Sequence, residues 1–412
     1  MEQDQLPGRI YTFHFIMLCL SNALFSASFN MLLPELPAYL TRMGGEDYKG
    51  YILALFTLMA GLSRPFSGKL TDTIGRVPVM IFGSLVCVVC SLLYPLVSSV
   101  GAFLLLRFFH GFSTGFKPTG TAAYVADIVP STRRAEAMGM VGLFSTIGLA
   151  MGPAIGGYIT NHWDIHIMFQ VSAVFALLSV VILVGGMRET LQDKQRFRLS
   201  TLKISKTEIF EPLVLAPVIV IFLTYLSYGV LFTIIPDFST YLGIENKGLF
   251  FTFFTAASIS IRLLAGKVSD KYGRVPILKI STITMAIGVF LLAIAHTPAM
   301  MLTAAVVYGV SVGMNSPAIT AWTIDLGHPQ HKGRALATMY IAMEAGIGLG
   351  AYLSAFVYHN DARFFPVTFF CTAVVTLMAA LYLLFIYHNR RLQIMWRFVH
   401  MRAPVPIRRF LP

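Results

Sequence analysis

Charged side chains are scarce in this chain of 412 residues. Asp, Glu, Lys and Arg together make up 12% of the sequence, which is about half of their share in soluble domains. Hydrophobic residues make up 56%, and the mean hydropathy is +0.72. A soluble fold of this length needs a charged surface, which this chain cannot supply. The composition therefore excludes a soluble globular protein and indicates one that is solvated by lipid.

Cysteine is also rare, and its four copies do not indicate a redox or metal centre. Cys19, Cys87, Cys90 and Cys371 all fall inside long apolar stretches. Cys87 and Cys90 have the spacing of a redox or metal-binding pair, but their segment is an apolar helix, so we interpret them as packing residues. Ser-His-Asp, metal-ligand and phosphate-loop patterns are lacking too. We expect no enzyme activity, no cofactor and no metal.

Long apolar runs are what the chain has in place of charge. A spanning helix takes about 20 apolar residues, and the sequence predicts twelve such segments. They lie near 10–33, 49–68, 77–98, 101–125, 136–160, 165–187, 213–236, 247–267, 275–296, 299–323, 334–358 and 364–388. The first is too long for a secretory signal, lacks an Ala-x-Ala site and leads into eleven more spans. The predicted fold is an all-α membrane protein.

Positive charge is unevenly distributed between the two sides of this array. The net charge is +12, from 31 Lys and Arg against 19 Asp and Glu. In the loops of one side lie only Arg42, Lys49, Lys247 and Arg363, whereas most of the others lie in the loops and tails of the other side. Basic residues resist translocation, so both termini are predicted to be cytoplasmic. Topology thus explains the excess charge without nucleic-acid binding, for which no recognisable module is present.

A short charged segment occurs twice. The segment from Arg64 to Pro78 returns 198 positions later, from Arg262 to Pro276, with Arg, Gly, Lys, Asp, Gly, Arg, Val and Pro unchanged. Other equivalent residues follow at the same offset, and before the second span the offset is 202. We conclude that two six-helix bundles of the same orientation are related by a pseudo-twofold axis along the membrane normal.

Composition divides the chain into four parts. Residues 1–187 and 213–388 are predicted to form the N-terminal and C-terminal bundles. Residues 188–212 contain no long apolar run and are interpreted as a cytoplasmic linker. Residues 389–412 form a basic cytoplasmic tail, either disordered or lying on an anionic membrane surface.

The duplicated turn has the pattern Gly-x-x-x-Asp-x-x-Gly-Arg, which resembles the motif between helices two and three of the major facilitator superfamily. The resemblance covers residues 10–388 and implies that the Asp and Arg of each copy latch the cytoplasmic side and help to control opening. A role as a topological anchor alone is the alternative, since such charges need partners in either case. The residues assigned to gating are Gly68, Asp72, Gly75, Arg76, Asp127, Gly266, Asp270, Gly273, Arg274 and Asp325.

Spans four and five carry further motifs similar to those of this superfamily. In span four, glycines follow Arg107 four and eight positions later, and the resemblance associates this Arg with proton transfer in antiporters. Lys117 lies seven residues after His110, on nearly the same helix face. Snorkelling to an interface is an alternative for Arg107, but it explains Lys117 poorly because Lys117 lies about 15 Å further into the span. Span five resembles the antiporter signature of exporters, although close helix packing alone would favour the same glycines. The residues of this motif are Gly148, Gly152, Pro153, Gly156 and Gly157.

Glu344 is an acid near the middle of an apolar span. Its repeat equivalent is Thr146, so the doubled fold does not require it. A carboxylate at this depth would be neutral, paired, or alternating between the two states as proton coupling requires. The alternative is a permanent ion pair with Lys117 or Arg107. Glu344 and Arg107 are the candidates for proton coupling, and those for the substrate cavity are Lys117, His110, Asn22, Asn30, Tyr225, Tyr228, Asn315 and Trp322.

The combined prediction is a proton-coupled exporter of a small molecule that works by alternating access. Because Arg107 and Lys117 would face a single Glu344, and span one offers Asn22 and Ser26 instead of an acid, we expect an anionic or zwitterionic cargo. The alternatives are a proton-coupled sugar or nutrient importer and, from another class, a transport-dead membrane sensor. We expect a monomer in the bacterial inner membrane, whose partners are the cargo, protons and the lipid bilayer.

Overall fold

The computed structural model describes residues 12–129, 134–191, 194–198, 210–327 and 332–386. The first half contains eight α-helices, of which α2 extends α1 beyond a short turn and α6 follows α5 after a break at Gly111. Their bounds are α1 Phe13–Leu32, α2 Leu36–Arg42, α3 Lys49–Thr73, α4 Arg76–Leu93, α5 Val100–His110, α6 Phe112–Ile128, α7 Arg134–His162 and α8 Ile165–Gly186. The first half therefore crosses the membrane six times.

The second half repeats this arrangement with six long helices. They are α9 Leu215–Tyr241, α10 Leu249–Tyr272, α11 Arg274–Ala293, α12 Pro298–Leu326, α13 Lys332–Tyr358 and α14 Phe365–Leu381, which continues as a π-helical turn Tyr382–Ile386. No strand occurs in the described residues. The chain is an all-α membrane protein of twelve transmembrane helices, as predicted. The predicted tail, 389–412, and part of the linker, 192–193 and 199–209, lie outside the described residues.

Nine of the described segments qualify as membrane spans by length and hydropathy alone. The less apolar ones are α3 and α10, which end in the duplicated charged turns, and the broken helix α5–α6, which carries Arg107 and Lys117. Large apolar side chains point outward along the array, for example Leu62, Val181 and Phe356. Such an apolar exterior fits lipid rather than water.

Helix packing defines two bundles that meet along two seams. Within the first half α1 packs against α7 and α8, and α4 packs against α6 and α8. Within the second half α9 packs against α13 and α14, while α12 packs against α10 and α11. The seams between the halves are α3 with α13 and α7 with α10. The pseudo-twofold axis exchanges these seams, because α3 and α7 are the repeat equivalents of α10 and α13.

Candidate functional site

The interface between the bundles contains a buried ion pair near the middle of the membrane. Arg64 on α3 donates from Nη2 to Oε1 of Glu344 on α13 at 2.7 Å, and the two residues are only 9% and 7% exposed. The Arg64 guanidinium also lies 4.8 Å from the ring centre of Tyr340. Arg64 Nε has no hydrogen-bond partner among the described residues. Because breaking a buried pair leaves an uncompensated charge, this contact ties the two bundles together.

The second seam carries the repeat-related contact without the carboxylate. Arg262 is the equivalent of Arg64, and Thr146 is the equivalent of Glu344. Arg262 Nη1 donates to Thr146 Oγ1 at 2.9 Å, and Nη2 donates to Ser316 Oγ at 3.2 Å. The two seams therefore share one geometry but differ in charge.

Two more ion pairs join the bundles away from the duplicated turns. We call the side of those turns the motif side and the other the opposite side. On the opposite side Lys49 pairs with Asp237 at 2.7 Å, and Lys247 pairs with Glu35 at 3.6 Å. These pairs exchange under the repeat, since Lys49 corresponds to Lys247 and Glu35 to Asp237. The Asn360 amide adds a hydrogen bond to the Glu46 carbonyl at 3.0 Å. The opposite side is thus held closed.

The glycine motif of α7 allows close packing on two sides. A Cβ at Gly148, Gly152 or Gly156 would lie 2.3–2.6 Å from backbone oxygens of α1. At Gly157 it would lie 2.2 Å from Oδ1 of Asn246, just before α10. The Pro153 carbonyl oxygen lies 2.2 Å from where a Cβ of Gly248 would stand. This motif therefore packs α7 both within its own bundle and against the other bundle on the opposite side.

On the motif side the duplicated turns form ion pairs within each bundle. Arg76 Nε donates to Asp127 at 2.9 Å, and its Nη1 lies 3.3 Å from Asp72. In the second copy Arg274 Nε donates to Asp325 at 3.2 Å. The Asp270 side chain lies outside the described part of the chain. Each of these two arginines thus lies beside the aspartate considered as its partner, and α3 and α10 both end at this level.

The first turn has an additional partner at the start of the linker. The Glu189 carboxylate accepts hydrogen bonds from the backbone N–H groups of Arg76 and Val77, each at 3.0 Å, and so caps the N-terminus of α4. The Thr190 hydroxyl donates to Asp127 at 2.6 Å. An acid at this position also interacts favourably with the helix dipole. The linker therefore binds directly to the duplicated turn of the first bundle.

Replacing Gly75 with alanine is expected to destabilise the protein by about 1–3 kcal/mol, more than the equivalent change at Gly273. Gly75 has φ +133°, and an added Cβ would lie 2.3 Å from a Glu189 carboxylate oxygen. Gly273 has φ +92°, but its Cβ would meet only Pro276 Cδ at 3.8 Å. Thermal unfolding of Gly75→Ala and Gly273→Ala in detergent measures the difference. Equal losses would mean that the Glu189 cap contributes nothing.

The structure places Arg107 and His110 inside the first bundle. Arg107 Nε donates to the Ile52 carbonyl at 3.0 Å, and its Nη1 lies 3.4 Å from Tyr94 Oη and 3.3 Å from His110 Nδ1. His110 Nε2 lies 3.3 Å from the Cys87 sulfur, a contact that the apolar sequence around Cys87 did not indicate. Both side chains are fully buried. Their described polar partners include no carboxylate, and Arg107 Nη2 is left without a hydrogen bond.

Lys117 also lies in the interior of the first bundle. Its Nζ donates to the carbonyl of Ser21 at 3.0 Å and to the hydroxyls of Ser21 and Ser179, and it stands 4.8 Å from the Phe25 ring centre. These residues belong to α1 and α8, and a Cβ at Gly83 on α4 would press against the Lys117 backbone. Lys117 therefore does not meet Glu344. The two partners considered for Glu344 from sequence, Lys117 and Arg107, make other contacts, and Arg64 takes that place.

The remaining candidates for the cavity divide between the bundles. Asn22 on α1 donates to the Val141 carbonyl on α7 at 3.4 Å, and Asn30 donates within α1 to the Ser26 carbonyl at 2.8 Å. In the second bundle a narrow crevice is lined in part by Tyr225, Tyr228 and Asn315, and Trp322 packs in an adjoining apolar cluster. The predicted candidates therefore do not form one cluster.

A family model described as Major Facilitator Superfamily matches residues 18–220 and, a second time, residues 217–394. The chain belongs to the major facilitator superfamily. Multidrug resistance protein 2 of Bacillus subtilis is 27% identical over 271 residues, which cover 63% of this chain and 68% of that protein. The multi-drug resistance efflux pump PmrA of Streptococcus pneumoniae (TIGR4) is 26% identical over 316 residues, which cover 73% and 78%.

Solved structures of this superfamily share the fold. The human organic anion transporter MFSD10 aligns with a TM-score of 0.71 at 18% identity, covering 90% of this chain and 98% of that one. A D-xylose–proton symporter aligns with a TM-score of 0.75 at 16% identity, covering 90% and 96%. Membership of the major facilitator superfamily makes this chain an integral membrane transporter of small molecules and not an enzyme.

Several residues of the transporter's bundle interface were not assigned to the site from sequence. Arg64 and Arg262 were visible as charges within spans and as the first residues of the duplicated segment. The opposite-side pairs were visible as basic and acidic residues at repeat-equivalent positions. The repetition of these charges in both halves could have identified them. A charge that occurs at equivalent positions in both halves of a membrane protein needs a polar partner in each half.

Proposed function

We propose that this transporter is a proton-coupled exporter in a bacterial inner membrane, with its motif side facing the cytoplasm. The proposal rests on the buried ion pair of Arg64 and Glu344. Among the described residues, the Glu344 carboxylate is the acid that joins the two bundles near mid-membrane. Protonation of Glu344 would neutralise one partner and release Arg64. Proton binding would thereby loosen the seam between α3 and α13.

Alternating access follows from the location of the other contacts between the bundles. The opposite-side ion pairs hold the outer end closed, and the described ion pairs of the motif side stay within each bundle. In this proposal the arrangement corresponds to a cytoplasm-open state, and opening outward requires the pairs of Lys49 and Lys247 to break. In this proposal the two bundles, 1–187 and 213–388, move as units. The duplicated turns, together with Asp127 and Asp325, stabilise their cytoplasmic ends.

Export is supported by two independent features. Several relatives are named for multidrug resistance or efflux, including the Klebsiella pneumoniae protein MdtG at 24% identity over 373 residues. The glycine and proline motif of α7 resembles the antiporter signature of exporters, and it packs at the opposite side. We propose an anionic or zwitterionic cargo, because the described interface holds Arg64 and Arg262 against the single acid Glu344 at mid-depth.

Replacing Glu344 with glutamine is expected to abolish the pH dependence of transport and to lower gradient-driven export by at least about tenfold, or 1.4 kcal/mol. The cargo is first identified as a compound that cells expressing the protein lose to the medium. Everted vesicles are then assayed for uptake of that compound with an imposed pH gradient. Glutamine keeps the side-chain shape and hydrogen bonding but cannot ionise.

Glu211→Gln is the matched control for this experiment. Glu211 is 3% exposed and pairs with Arg334 at 2.5 Å, but within the second bundle. Its replacement should preserve the pH dependence. If Glu344→Gln transports with the pH profile of the wild type, Glu344 is not the coupling acid.

A further inference from the structure

Arg262 is a cation at the interface between the bundles that has no ion-pair partner in the described structure. Its two terminal nitrogens reach hydroxyl groups, Thr146 on α7 and Ser316 on α12. The residue is only partly buried. Gly142 faces it across the seam, where an added Cβ would stand 3.5 Å from Nη2.

The groups around Arg262 are uncharged on every side that the structure describes. Besides Thr146 and Ser316, its electrostatic neighbours are the phenols Tyr225 on α9 and Tyr340 on α13. Glu344 lies on the same interface, but its carboxylate is engaged by Arg64. No carboxylate of the described residues therefore pairs with Arg262. A partly buried guanidinium is stabilised best by a carboxylate, which can accept two parallel hydrogen bonds from it.

The pseudo-twofold axis shows where such a carboxylate would stand. Rotation about the axis carries Arg64 onto Arg262 and Glu344 onto Thr146. The protein itself supplies the carboxylate on the first seam, and on the second it places a short hydroxyl side chain and a nearby glycine. Threonine has a shorter side chain than glutamate, so the second seam lacks the carboxyl group that Glu344 supplies on the first.

We propose that Arg262 binds a carboxylate group of the cargo, in the position that Glu344 occupies on Arg64. The hydroxyls of Thr146 and Ser316 would turn to donate to the same oxygen atoms. This inference rests on the proposed function and adds to it a binding residue and a chemical class of cargo, a small carboxylic acid. In this proposal the seam of Arg64 and Glu344 binds the proton, and the seam of Arg262 and Thr146 binds the cargo.

The first test supplies the carboxylate from within the protein. Thr146→Glu is expected to raise the melting temperature in detergent relative to Thr146→Gln, which has the same shape without the charge. The gain should disappear when Arg262→Gln is added, since the new acid would then have no partner. No gain in Thr146→Glu over Thr146→Gln would overturn the proposal.

The second test uses succinate as the probe, with succinamide as its uncharged counterpart. Succinate, but not succinamide, is expected to raise the melting temperature of the wild type. Arg262→Gln and Thr146→Glu should each lose at least about tenfold in succinate affinity, and Arg262→Lys should lose less because it keeps the charge. Absence of a succinate effect in the wild type, or unchanged affinity in both variants, would refute the inference.

The two proposals fail separately. Succinate binding needs no proton gradient, so it can be lost while the pH dependence controlled by Glu344 is intact. Conversely, Glu344→Gln can retain the wild-type pH profile although Arg262 binds succinate. The first result would remove the cargo site alone, and the second would remove the coupling acid alone.

Discussion

Replacing Arg64 with leucine is expected to lower the free energy of unfolding by about 3–5 kcal/mol, because it leaves the Glu344 carboxylate buried without its partner. The pair is nearly inaccessible to water, and the neighbouring Gly61 and Tyr340 offer Glu344 no replacement cation. Titration of the purified protein with SDS, followed by circular dichroism, measures the loss. The same variant should also separate α3 from α13, which can be detected as faster hydrogen exchange in both helices.

The double variant Arg64→Leu/Glu344→Leu is the control that isolates the unpaired charge. Replacing both partners with apolar residues is often neutral or stabilising, so the double variant should be more stable than Arg64→Leu alone. If Arg64→Leu unfolds like the wild type, the pair does not hold the bundles together. If the double variant is as unstable as the single one, the loss comes from packing rather than from charge.

The fold was predictable because membrane spans are encoded locally. Each helix needs a run of apolar residues about as long as the membrane is thick, and the duplicated turn identified the two halves. The break in span four was less visible. Gly111 separates α5 from α6 and packs against α3, where an added Cβ would lie 2.1 Å from the Phe56 carbonyl oxygen. A close approach of this kind depends on another helix and cannot be read from the span itself.

The site was predictable only in part, since its contacts cross from one half to the other. Glu344 was identified by its depth, but its partner Arg64 lies 280 positions away. Helical periodicity places His110 and Lys117 near one face of span four, yet it could not distinguish the interior of the bundle from the cavity between bundles. Buried hydroxyl groups allow Lys117 to lie in the interior of the bundle, because Ser21 and Ser179 accept the hydrogen bonds that an acid would otherwise accept.

Replacing Gly248 with alanine is expected to open the opposite side and to reduce transport by at least about tenfold, or 1.4 kcal/mol. The added Cβ would lie 2.2 Å from the Pro153 carbonyl oxygen and 2.5 Å from its carbonyl carbon. Carbon atoms pack at about 3.5–4.0 Å, so the two segments must separate by about 1 Å or more. Both neighbouring atoms belong to the backbone of the other bundle, which cannot turn aside as a flexible side chain could.

Distances between spin labels at Asp47 and Glu245 report this change, because the two exposed residues lie on the opposite side of different bundles. Cys371 is the exposed cysteine and is replaced by serine, and the other three are buried. The distribution of spin-label distances in Gly248→Ala should shift to longer distances.

Gly101→Ala is the matched control on the opposite-side end of α5, since a Cβ there meets no atom within 4 Å. If both variants retain the wild-type distances, closure does not depend on the contact of Gly248 with Pro153. A shift confined to Gly248→Ala would link the glycine motif of α7 to closure of the opposite side.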